Sequence, residues 1–73
     1  MIKRDWCHQV SGQHYCLQLI EDWLGWWILL RVDEGGKSPG HKILKVFRRR
    51  KAGLREIKKI GNRKRKSGYD LVG

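Results

Sequence analysis

Two pairs of side chains near the start of the chain could hold a soft metal. Cys7-His8 and His14-x-Cys16 bring four nitrogen and sulfur donors within ten residues. Zinc needs such donors to converge as a tetrahedron. Further on, Gly36-Lys37-Ser38 has the outline of a phosphate-binding loop. Carboxylates are few. Glu21-Asp22 and Asp33-Glu34 are the paired ones, and none has a histidine spaced to make an acid–base dyad. With no nucleophile elbow and no metalloprotease signature, no catalytic residue is expected and the chain reads as non-enzymatic.

The metal question is decided by the element that carries the donors. Trp6 to Leu19 alternates apolar and polar as a half-buried hairpin does. A two-residue turn at Ser11-Gly12 sets Val10 opposite Gln13, His8 opposite Tyr15 and Trp6 opposite Leu17. Tyr15, Leu17 and Leu19 then share one face, and His14, Cys16 and Gln18 the other. The same register pairs Cys7 with Cys16 and Gln9 with His14. It leaves His8 on the opposite face, so the four donors do not converge. No metal and no other cofactor is expected. The Cys7/Cys16 pairing would allow a disulfide only in an oxidising compartment.

The loop motif fails on spacing. A phosphate loop has a glycine five positions before its Gly-Lys pair and a helix directly after it. Here Arg31 stands five before Gly36, and Pro39-Gly40 follows. Asp33 to Gly40 is read as a loop with a turn.

The remaining elements follow from periodicity. Trp26 to Val32 is apolar on both faces, as a central strand covered on both sides, or with one face buried in a partner, would be. His41 to Phe47 alternates Lys42, Leu44 and Val46 against Ile43, Lys45 and Phe47, a fourth strand beside the third. After Phe47 the period lengthens: Leu54, Ile57, Ile60 and Gly61 form one stripe of a helix over about residues 48–66. Gly53 and Gly61-Asn62 weaken that helix, each interior glycine costing about 1 kcal/mol against alanine, and Gly61-Asn62 is where it would break. Ser67-Gly68 ends it, and Tyr69 to Val72 returns as a short closing strand. The expected fold class is α+β: a small antiparallel sheet of four to five strands with one basic C-terminal helix packed on it, in a single domain.

Charge carries the strongest functional signal. Of 73 residues, 17 are Lys or Arg and 7 are Asp or Glu, a net charge of +10. Residues 1–36 hold three basic against five acidic side chains, and residues 37–73 hold fourteen against two. A segment that basic attracts polyanions and releases their counterions. A basic amphipathic helix can also rest on an anionic membrane, but this one lacks the bulky aromatic face such helices use. The longest apolar run is far short of the ~20 residues of a membrane span. No secretory leader is read after Met1, so a cytoplasmic location with reduced cysteines is expected.

The order of features is similar to a known family. His14-Tyr15-x-Leu17-x-Leu19, then Gly25-x-Trp27-x-Leu29-x-Arg31, Gly40-His41, Phe47, and a helix ending in Lys64-x3-Gly68-Tyr69 resembles the WGR domain over residues 14 to 72. That family is best known as the nucleic-acid-binding module of certain poly(ADP-ribose) polymerases and also occurs in small bacterial proteins. The resemblance implies a bacterial or phage source and a sheet with a helix packed across it. It sets Asp33-Glu34-Gly35 where the family has Trp-Gly-Arg. In the polymerases that Trp and Arg contact the end of a DNA strand. Asp33 cannot stack on a nucleotide, and Asp33-Glu34 would repel a phosphate, so strand-end recognition does not carry over.

What remains is a sequence-nonspecific nucleic-acid-binding module, for DNA ahead of RNA, working through phosphate contacts. The expected contacts are Lys37 and His41 beside the loop and Arg48, Arg49, Arg50, Lys51, Arg63, Lys64 and Arg65 on the helix. The alternative is an accessory protein-interaction module, regulatory or counter-defence, with an acidic protein partner or a second copy of itself.

Overall fold

Strands β1 (Ile2–His8) and β2 (His14–Glu21) form the expected hairpin, but two residues away from the register that a Ser11-Gly12 turn would set. Trp6 pairs with Tyr15, Cys7 with His14 and Asp5 with Cys16. The computed structural model describes residues 1–33 and 40–73, with Asp33 by its backbone alone. The longer loop is explained by His8. Its Nδ1 accepts the amides of Val10 at 3.2 Å and Ser11 at 3.1 Å, satisfying donors that a longer loop leaves over. His8 N–H donates to the Gln13 carbonyl at 2.8 Å, and Gly12 supplies the positive φ of 73° that closes the loop. A slip of two keeps every side chain on its face. The Tyr15/Leu17/Leu19 face is therefore as expected, while the Cys7–Cys16 pairing is not: Cys7 stands opposite His14 and Cys16 opposite Asp5.

Strand β3 (Trp27–Asp33) follows a tight connection organised by Asp22. The Asp22 Oδ1 accepts the amides of Leu24 at 2.9 Å and Trp26 at 2.8 Å, an Asx turn. This carboxylate is structural. Strand β4 (Gly40–Phe47) pairs with β3, helix α1 spans Arg50–Lys66, and β5 (Tyr69–Leu71) closes against β1. The result is an antiparallel five-stranded sheet in the order β4-β3-β2-β1-β5 with one helix, the expected α+β class. Among the described residues no helix is long and apolar enough to cross a membrane.

Strict alternation fails in β4. Leu29 pairs with Lys45 but Leu30 with Ile43, so Leu44 is an extra, bulged residue. Ile43 and Val46 thereby come to one face, and Lys42, Lys45 and Phe47 to the other.

The core forms where α1 lies on the sheet. Trp6, Leu17, Leu19 and Leu29 from the strands meet Ile57 and Ile60 from the helix. Both helix glycines face this contact. A Cβ on Gly53 would stand 2.7 Å from Leu19 Cδ1, and one on Gly61 3.0 Å from Trp6 Cζ2. They let the helix approach the sheet closely, and α1 runs unbroken through Gly61-Asn62 because packing outweighs the propensity cost. The helix begins at Arg50 rather than 48, with Arg49 as its N-cap.

Candidate nucleic-acid interface

Helix α1 buries Gly53, Ile57 and Ile60 and gives most of the remaining circumference to Lys and Arg, with Glu56 its only acidic residue. Among the described residues none of the helix cations has a carboxylate within 4.0 Å, and the one ion pair is Lys3–Asp5 at 3.9 Å. A row of uncompensated charge held on a rigid rod is the footprint of a polyanion site.

The expected contact residues do not form one cluster. Arg48, Arg49, Arg50 and Lys51 lie at the start of α1, and Arg63, Lys64 and Arg65 in its last turn. At 1.5 Å per residue the two groups are roughly 20 Å apart. His41 pairs with Val32, on the sheet face turned away from α1, and so cannot act with the helix cations. Lys37, like the Asp33-Glu34-Gly35 triplet and the Gly36-Lys37-Ser38 turn, falls on positions outside the described residues or, for Asp33, described by backbone alone.

The last-turn group is the better built of the two. Tyr15, on the helix-facing side of β2, carries the Lys64 ammonium 4.0 Å from its ring centroid and the Arg31 guanidinium 5.1 Å from it. Lys64 also lies 5.0 Å from the Tyr69 ring. Both are cation–π distances. Burial first, then Arg31 and Arg63, lower the Lys64 pKa below its ordinary 10.5, so the cluster repels itself and an anion would relieve it. Beside it runs a cleft of about 380 Å³ lined by Leu29, Leu44 and Ile60, by Lys45, Arg63 and Lys64, and by the acidic Glu56. A second cleft on the other flank of α1 has Trp6 and Leu71 in its wall and Arg4, Lys58 and Arg65 at its rim. The first-turn group has one ring contact, Arg48 at 5.0 Å over Trp26.

Comparison with protein-family models, curated proteins and solved structures finds no match. Geometry therefore carries the functional argument.

Sequence reasoning missed Arg31, Lys45, Lys58 and Arg4 as members of this surface. Alternation does place Arg31 on the Trp27/Leu29 face, yet its approach to Tyr15 depends on the β2–β3 register, in which Leu17 pairs with Arg31. Lys45 reaches the cleft by pairing with Leu29 on the helix-facing side of the sheet. His8 and His14, read as possible ligands, have other surroundings. The His8 Nε2 meets the Ser67 carbonyl at 3.1 Å, tying the hairpin loop to the end of α1. Among the described residues no three His, Cys, Asp or Glu side chains are grouped to hold a metal.

Proposed function

We propose that this chain is a non-enzymatic nucleic-acid-binding module that grips phosphate backbones without reading sequence, on a frame of the WGR kind. The observation that carries the reading is the convergence of Arg31 and Lys64 on Tyr15, with Arg63 and Lys45 lining the same cleft. The Lys and Arg of α1 continue this charge along the helix, and among the described residues none of them has an ion-pair partner. Phosphates would lie along the outer face of α1, with the last turn as the anchor. The resemblance in sequence puts DNA ahead of RNA.

Fluorescence anisotropy with labelled duplex DNA and duplex RNA over a salt series tests this. Affinity should fall steeply with salt, log K against log[salt] having a slope near −0.9 for each DNA phosphate neutralised. A Lys64→Glu/Arg65→Glu double variant should reduce both the affinity and the slope. Binding that is absent at low salt, or indifferent to salt, would overturn the reading. A protein-interaction role draws on a different surface, the sheet face that α1 leaves uncovered.

A further inference from the structure

The turn between β2 and β3 carries side chains that turns ordinarily avoid. Asp22 to Gly25 closes as a four-residue turn, the Gly25 amide donating to the Asp22 carbonyl at 3.1 Å. Such positions favour Gly, Asn, Asp, Ser and Pro, yet the two central ones hold Trp23 and Leu24. Trp23 is 90 % exposed and Leu24 61 % exposed, so neither belongs to the core. The turn is nonetheless firmly built. Besides the two amides that Asp22 Oδ1 accepts, the Asp22 amide donates to the Trp26 carbonyl at 2.8 Å, and Gly25 takes a positive φ of 86°. A fixed backbone holds an indole in water. Register places this indole beside the arginines that lead into α1. Glu21 pairs with Trp27 and Trp27 with Phe47, so the β2–β3 and β4–α1 connections leave the same end of the sheet. Arg48, Arg49 and Arg50 occupy the second connection and the helix start. Arg48 lies 5.0 Å over the ring of Trp26, the residue that closes the turn.

We infer that Trp23 is a stacking site for an unpaired nucleobase, on a strand whose phosphates meet the arginines at the start of α1. Resting on the nucleic-acid reading above, this site adds a second kind of contact and a preference for locally unpaired DNA. Base-on-aromatic stacking tolerates any sequence, because every base has a π-face. It therefore suits a module that reads none. Arginine is the cation fitted to the place: its fork takes phosphate oxygens in pairs and its plane stacks on rings, as Arg48 does on Trp26. Inside a paired duplex each base has its faces covered by its neighbours, so only an unpaired or extruded one offers a face to Trp23. The rigid turn helps, since a backbone already ordered loses little freedom on binding. A lipid surface is the weaker occupant. Elements that rest on membranes bury a whole apolar face, and this turn offers two apolar side chains, Trp23 and Leu24.

Fluorescence anisotropy with two labelled DNAs of equal length and charge tests this. One is a fully paired duplex, and the other carries a short unpaired bubble at its centre, so that their identical ends cancel. The wild type should bind the bubble duplex roughly tenfold more tightly, within the range that one stacked base supplies. Trp23→Ala should remove that preference and leave both the affinity for paired duplex and its salt slope unchanged, while Trp23→Phe should keep most of it. Val10→Ala is the control. It shortens a side chain 91 % exposed at the tip of the β1–β2 hairpin, at the far end of β2, and should change neither quantity. Equal affinity of the wild type for the two DNAs overturns the inference and leaves the phosphate reading standing. A bubble preference that survives in Trp23→Ala overturns it as well. Absence of binding to either DNA at low salt overturns both readings. Blue-shifted tryptophan emission on phosphatidylglycerol vesicles, with no bubble preference, overturns it in favour of a membrane surface.

Discussion

The Lys64 ammonium stands 4.0 Å from the centroid of the Tyr15 ring, in a cluster where burial, Arg31 and Arg63 all disfavour its charge. A lysine whose folded-state pKa is depressed destabilises the fold while it is charged. That penalty is present at neutral pH and is lifted as pH rises through the interval just below 10.5, where the unfolded chain binds more protons. Lys64→Met keeps the stem on Tyr15 and removes the charge. It should leave the melting temperature unchanged or raise it, and weaken DNA binding with the salt slope smaller by about 0.9. Lys64 should also titrate at higher pH in the DNA complex than alone, by NMR of its side-chain amine.

Gly53 and Gly61 should respond differently to alanine. A Cβ at Gly53 would sit 2.7 and 2.8 Å from the two methyl carbons of Leu19, a side chain with no exposed surface and so little room to yield. Overpacking of this kind costs ~1–3 kcal/mol, which exceeds the ~1 kcal/mol that alanine contributes to a helix. At Gly61 the closest approach is 3.0 Å to Trp6 Cζ2, and the two effects nearly balance. Thermal denaturation should show Gly53→Ala clearly destabilised and Gly61→Ala within about 1 kcal/mol of the parent. A gain in stability at Gly53 would mean that the helix does not need its close approach there.

His8 should be held as the Nε2–H tautomer. Its Nδ1 accepts two backbone amides, and the Ser67 carbonyl at 3.1 Å from Nε2 can only accept. The ring also stands edge-on to Tyr69 at 4.9 Å. Nitrogen chemical shifts of the imidazole should report Nδ1 as the hydrogen-bond-accepting nitrogen. His8→Ala should cost about 1 kcal/mol, because the exposed Val10 and Ser11 amides exchange the imidazole for water.

These residues mark where the sequence was readable. The α+β class, the hairpin faces, the helical stripe and the closing strand all follow from period and polarity, which are local properties. The hairpin register does not, because it depends on an imidazole that bonds the amides of its own loop, and alternation is blind to a slip of two. The β4 bulge was hidden for a similar reason: Leu44 is apolar and fits either reading of the alternation. For the functional surface, composition located the charge. It could not separate Arg48–Lys51 from Arg63–Arg65 across the length of α1, nor bring Arg31 to Tyr15, since both depend on how strands and helix pack.

The two ends of α1 test whether its charge serves stability or binding. In the last turn, Arg63 to Lys66 complement the negative end of the helix dipole. At the first turn there is no acidic residue, and Arg49 occupies the N-cap without a side-chain hydrogen bond. Cations there oppose the positive end of the dipole and forgo a cap worth ~0.5–2 kcal/mol. An Arg49→Asp variant should therefore be more stable, a gain of ~1 kcal/mol raising the melting temperature of so small a domain by roughly 4–8 °C. If phosphates run the length of the helix, the same variant should bind duplex DNA more weakly, with a shallower salt slope. A variant that gains stability and loses affinity together shows these arginines retained for binding. One that gains stability with affinity and slope unchanged confines the phosphate contacts to the Tyr15 end.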